Sequence, residues 1–164
     1  MAAGTETARA ALGCYFDELE AGQGFGSRGR TITEADIVAF SALTGDWHPQ
    51  HSDAVWAAAS GFGERIAHGM LVLSFALGLV ELDPDRVVAL RRVRTATFKA
   101  PVAIGDTIRV EGRLGGMREV DGERGLVETS LRVVNQHGRA VASFSLDLVW
   151  RRSEARPREA KAIT

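Results

Sequence analysis

Gly69 to Val80 reads GMLVLSFALGLV. The stretch is apolar on almost every helical face, and at about twelve residues it is far shorter than the roughly 20 that a membrane helix requires. It predicts a buried helix, from about His68 to Leu82, that something else must wrap. The wrapping follows Asp85. Val87 to Ala100, Thr107 to Met117, Gly125 to Asn135 and Arg139 to Trp150 read as strands, divided by turn signals at Pro101 to Asp106, Asp121-Gly122 and His137-Gly138. In the last of them Ala142, Phe144, Leu146, Leu148 and Trp150 alternate with Val141, Ser143, Ser145, Asp147 and Val149, so one face is apolar.

Long antiparallel strands after a uniformly apolar helix give an α+β layer in which the sheet curls around the helix. This is the plan of a hot-dog fold. An open sheet exposes an edge, and edges invite pairing with another copy, so a homodimer or larger homo-oligomer is expected. Upstream, Gly24 to Thr31 predicts a short strand. Thr33 with Asp36 forms a capping-box-like start for a helix through Leu43, closed by Gly45. The polar turn DWHPQHSD follows, and Ser52 or Asp53 is placed to cap a short helix over Ala54 to Ser60. Asp46 and His51 therefore belong to a rigid turn between two helices, with Gly61 to Ala67 leading into the apolar helix.

The 164 residues carry 45% apolar side chains and a formal net charge of −1, which suits one domain with a real core and gives no field for nucleic acid. The expected body is 13–150, between a poorly ordered N-terminus (1–12) and a charged tail (151–164). The first residues hold Glu6, Asp17, Glu18 and Glu20 and no signal-peptide pattern, so the expected location is cytoplasmic, with no membrane partner. The lone Cys14 has no internal disulfide partner and reads as a small apolar residue.

On residue type alone Asp46 fits a turn aspartate bonded to backbone N–H groups as well as it fits a catalyst. Asp46, His48, His51 and Asp53 also raise a metal reading, but four donors within eight residues of one tight turn do not readily converge and match no recognised metal motif. No metal is expected. Trp47 and Trp56 are candidates for walls of an acyl pocket. Arg91, Arg92 and Arg94 are candidates for meeting phosphates.

The segment Thr44-Gly45-Asp46-Trp47-His48-Pro49-Gln50-His51, followed by Ile66-Ala67-His68-Gly69-Met70-Leu71, resembles the hydratase motif of the MaoC-like dehydratase family, which includes (R)-specific enoyl-CoA hydratases. Phe98-Lys99-Ala100-Pro101-Val102 and Gly105-Asp106-Thr107-Ile108 extend the resemblance, which covers about Tyr15 to Trp150.

The resemblance implies reversible hydration of a 2-enoyl thioester to a (3R)-hydroxyacyl thioester, with Asp46 and His51 as acid/base pair and the Gly69 backbone N–H on the thioester oxygen. Coenzyme A or phosphopantetheine would enter only as part of the substrate, and an acyl carrier protein is a possible partner. The chemistry suits such a set. Water must lose a proton as it adds to Cβ, Cα must gain one, and a donor at a helix N-terminus stabilises the charge that develops on oxygen. His48 stands where the family has an asparagine, and with His68 it is expected to support the pair. The rival readings are a hot-dog acyl-thioesterase and a non-catalytic acyl-binding protein of the same fold.

Overall fold

The computed structural model describes residues 12–153. The terminal segments expected to be loose lie almost entirely outside that range. Within it, the chain folds as an antiparallel sheet curled against one central helix, the predicted α+β hot-dog arrangement.

Two short strands, β1 (Gly24–Gly26) and β2 (Arg30–Thr31), replace the single predicted one, and both pair with the later strand Thr107–Glu119. Helix α1 (Glu34–Thr44) starts on a capping box: Asp36 N–H donates to Thr33 Oγ1 at 3.3 Å and Thr33 N–H donates to Asp36 Oδ2 at 2.8 Å. It stops at Gly45, whose φ of 77° is the left-handed conformation glycine adopts without strain.

The predicted turn after Gly45 contains a further helical turn, α2 (Pro49–Ser52), which carries His51. Pro49 occupies its first position, where a missing N–H costs nothing. Asp53, rather than Ser52, caps α3 (Ala54–Ala59), accepting from Val55 N–H and Trp56 N–H at 2.9 Å each.

The central helix α4 (Gly69–Leu79) is shorter than predicted: His68 is its N-cap, and Val80 is extended at its end, with Pro84 disfavouring helix just beyond. Leu71, Val72, Leu73, Ala76 and Leu79 are buried. Met70, Ser74 and Gly78 form a stripe that remains exposed, so this chain alone wraps the helix incompletely. Ser74 Oγ is satisfied by Met70 O, one turn back, at 2.8 Å.

The long strands β3 (Val87–Phe98), β4 (Thr107–Glu119), β5 (Arg124–Val134) and β6 (Ala140–Arg151) complete a sheet of order β1-β4-β5-β6-β3. β6 runs one residue past Trp150, and Arg152 then bridges Asp17 at 2.8 Å and Glu119 at 2.5 Å. The core lies between α4 and the sheet's inner face, where Val110, Leu114, Val127, Leu131, Phe144, Leu146 and Leu148 are buried.

β3 differs from its neighbours. It is the sheet's edge, paired only with β6, and Val88, Leu90, Val93 and Phe98 are all exposed. Bulges interrupt its register near Arg92 and Arg94, so simple alternation does not assign their faces. Arg94 is engaged by Asp147 and by Glu128 and is not available for phosphate.

Candidate active site

Three consecutive residues, Ile66, Ala67 and His68, form the spine of the site. Ile66 N–H donates to Gln50 O at 3.1 Å and Ala67 N–H donates to Val102 O at 2.8 Å, which ties α2 on one side to the strand connection on the other. The same spine orients two imidazoles.

His51 is 4% exposed, and its Nδ1 lies 2.7 Å from Ile66 O. A carbonyl only accepts, so Nδ1 carries the hydrogen and Nε2 presents a lone pair. Burial, the largest influence, pushes the His51 pKa below its ordinary 6.5; the nearby His68 and His48 push the same way, while the bond to Ile66 O and the Asp46 charge oppose them. The ring is thus held neutral and basic at Nε2.

His68 is 2% exposed and stacks on His51 with ring centroids 3.7 Å apart. Its Nε2–H donates to Asp46 O at 3.0 Å, with Ser41 Oγ a further partner at 3.2 Å. His68 thus clamps the backbone of Asp46 while its own position caps α4. His68 Nδ1 is buried without a hydrogen-bond partner among the described residues.

Asp46 sits at the exposed rim, and its Oδ1 accepts from His48 N–H at 3.2 Å. His48 Nδ1 accepts from Gln50 N–H at 3.3 Å and so caps α2. Here the histidine does what an asparagine side chain does at a helix start, which explains how the loop tolerates it. Its ring meets Trp56 edge-on, with centroids 5.5 Å apart.

Potential ligand atoms of Asp46, His51 and His68 lie within 4.8 Å of one another, a different set from that considered on sequence. The two imidazoles stack nearly parallel, with planes 25° apart, and His51 Nδ1 and His68 Nε2 each direct a hydrogen at a main-chain carbonyl. The arrangement suits proton transfer better than metal ligation.

A cavity of about 370 Å³ opens beside His51. Gly69, the first residue of α4, is on its wall, and its N–H is one of the first-turn donors that have no partner inside the helix. A Cβ on Gly69 would lie 2.8–2.9 Å from the tip of the Phe98 ring, so a side chain there would have to displace that ring. Phe62 and Phe98 supply the aromatic wall; neither Trp47 nor Trp56 lines the cavity, and Trp47 is half exposed. The tryptophans drew attention by size, whereas these phenylalanines reach the cavity from a loop and a strand end distant in sequence. Gln50 and Lys99 were also missed, and both line the cavity.

Residues 18–137 match a family profile described as the MaoC like domain. This chain belongs to the MaoC-like dehydratase family. It is 35% identical to an (R)-specific enoyl-CoA hydratase of Rhodospirillum rubrum over 63% of this chain and 71% of that protein. It is 43% identical to Protein MaoC of Klebsiella aerogenes over 58% of this chain, but spans only 29% of that longer protein. Among solved structures, a monoamine oxidase regulatory protein from Archaeoglobus fulgius superposes with a TM-score of 0.81 at 36% identity, over 85% of this chain and 95% of that one. The unliganded R-hydratase PhaJ1 of Pseudomonas aeruginosa gives 0.66 at 32% identity, over 92% and 95%. The matched region contains Asp46, His48, His51, His68 and Gly69.

Proposed function

We propose that this MaoC-like chain is a hydro-lyase that adds water reversibly across the double bond of a 2-enoyl thioester, giving a (3R)-hydroxyacyl thioester. The observation that carries the reading is that His51, with its hydrogen on Nδ1 and its lone pair on Nε2, and Gly69, whose N–H has no partner within the helix, line one cavity, with the Asp46 carboxylate beside the imidazole. The names of relatives support it.

In the hydration direction, water loses a proton to the Asp46/His51 pair as its oxygen bonds to Cβ. The double-bond electrons move toward the carbonyl, and the thioester oxygen gains charge against the Gly69 N–H and the positive end of α4. The pair then returns a proton to Cα. Every proton and electron is accounted for without a redox group or metal, so coenzyme A or phosphopantetheine enters only as the carrier of the acyl group. Lys99 at the cavity wall, with Arg91 and Arg92 on exposed β3, offers positive charge to that carrier. The assembly we propose is a cytoplasmic homodimer that covers the β3 edge and the open stripe of α4. The lone Cys14 asks for no oxidising compartment. Among the described residues no helix is long and apolar enough to cross a membrane.

Crotonyl-CoA hydration followed by loss of the enoyl-thioester absorbance tests the assignment. Asp46→Asn and His51→Ala are each expected to lower kcat by about 10²- to 10⁴-fold, Asp46→Asn with an unchanged melting profile and His51→Ala, which empties a buried site, with a lowered one. Full activity in either variant would refute the pair, and release of free thiol in place of hydration would move the chain to the thioesterases.

A further inference from the structure

His51 has a second neighbour that the acid/base reading leaves unused. The side-chain Nε2 of Gln50 lies 3.0 Å from His51 Nε2. Adjacent residues on a helix do not ordinarily face each other. Here Gln50 is half buried and folds back over the ring that follows it. Because Ile66 O holds the hydrogen on Nδ1, the nitrogen facing Gln50 is a lone pair, and only the NH₂ end of an amide can satisfy it. The opposite amide orientation would set two lone pairs against each other. The carbonyl end, Oε1, has no hydrogen bond among the described residues and belongs to a side chain that lines the cavity. Phe62, Val72, Phe98 and Val102 make most of that cavity apolar, so a neutral amide beside the base stands apart.

We propose that Gln50 is a positioning residue for the reaction: its amide donates to His51 Nε2 in the resting enzyme and, when water displaces it there, its Oε1 accepts the water's other O–H. This rests on the hydratase reading of His51. The first contact favours neutral imidazole, because a hydrogen bond to the uncharged form opposes protonation. The second directs a water lone pair at Cβ. The charged or titratable groups around His51 are Asp46 and His48 from the preceding loop, His68 stacked on its face, and Lys99 across the cavity. None of them duplicates the amide, since Gln50 alone among the described residues bonds to Nε2.

Gln50→Met keeps length and removes both hydrogen-bonding ends, whereas Gln50→Glu replaces the donor with an acceptor that favours imidazolium. The pH dependence of kcat/KM for crotonyl-CoA and the titration of ¹⁵N-labelled His51 followed by NMR provide independent readouts. In Gln50→Met the acidic limb and the NMR midpoint are expected to rise by about half a pH unit to one unit, the effect of one net hydrogen bond. The same variant should lose about tenfold in kcat with little change in KM. Gln50→Glu should move both midpoints further in the same direction. Unmoved midpoints in both variants, or a downward move in Gln50→Met, would overturn the inference while leaving the hydratase reading standing. A wild-type chain that hydrates no enoyl thioester would remove that reading, and the NMR midpoints would still decide whether the amide acts on the ring.

Discussion

His51 and Asp46 are five residues apart in the chain and occupy opposite environments. His51 is buried, stacked on His68 and pinned by a main-chain carbonyl, whereas Asp46 is exposed and held through its own backbone oxygen and one N–H from His48. The contrast fits what each group requires. An imidazole that is to act as a base benefits from losing water, which penalises its charged form, while a carboxylate left at the rim keeps its hydration and escapes the desolvation cost of a buried charge. The site is therefore built from a dry half and a wet half, joined by His68.

Breaking the joint should have the largest effect. His68→Ala removes the donor to Asp46 O and the ring that stacks on His51, and leaves a void beside Phe40. We expect a loss of about 2–4 kcal/mol in urea unfolding, together with a large fall in kcat. Gly69→Ala strikes the dry half from the other side. The new methyl group would push the Phe98 ring aside, and we expect kcat/KM for crotonyl-CoA to drop about ten- to hundredfold as the proposed oxyanion donor is displaced or covered. Adding Phe98→Ala should recover part of that loss, and a double variant no better than Gly69→Ala would show that the ring is not the obstacle.

Acidity separates the halves more gently. Because burial holds the folded-state pKa of His51 below 6.5, the unfolded chain binds the extra proton first as pH falls. This contribution to stability is fully present above the unfolded value and declines from about pH 6.5 downward through the folded value. Urea midpoints should be lower at about pH 5.5 than at about pH 7.5, and His51→Gln should flatten that difference. The smallest effect belongs to the wet half. His48→Asn keeps an acceptor for Gln50 N–H and should change stability by less than about 0.5 kcal/mol, read from the same unfolding curves.

Much of this is legible in the sequence. The unbroken apolar run at Gly69 to Val80 and the period-two pattern at Val141 to Trp150 are direct readouts of burial, and they led to the α+β hot-dog plan. The Thr33 cap and the Gly45 stop were visible because their chemistry is local. The missing parts depend on distance. That α2 is a helical turn follows from His48 using its ring as a cap, which residue type alone does not announce. Phe98 reaches Gly69 across the fold, and Gln50 gained meaning only once Ile66 O had fixed the tautomer of His51. The open stripe of α4 was hidden because hydropathy records what a residue prefers, not whether one chain suffices to cover it.

The hydrogen bonds that orient His51 and His68 end on the carbonyl oxygens of Ile66 and Asp46. Every amino acid has such an oxygen, so the side chain at position 66, which lines the cavity, can be exchanged without changing the chemical nature of the anchor. Under the proposed function, acyl selectivity and proton-transfer geometry are in this respect separately adjustable. A small library of apolar residues at Ile66 is a route to new substrate preferences on an unaltered catalytic frame.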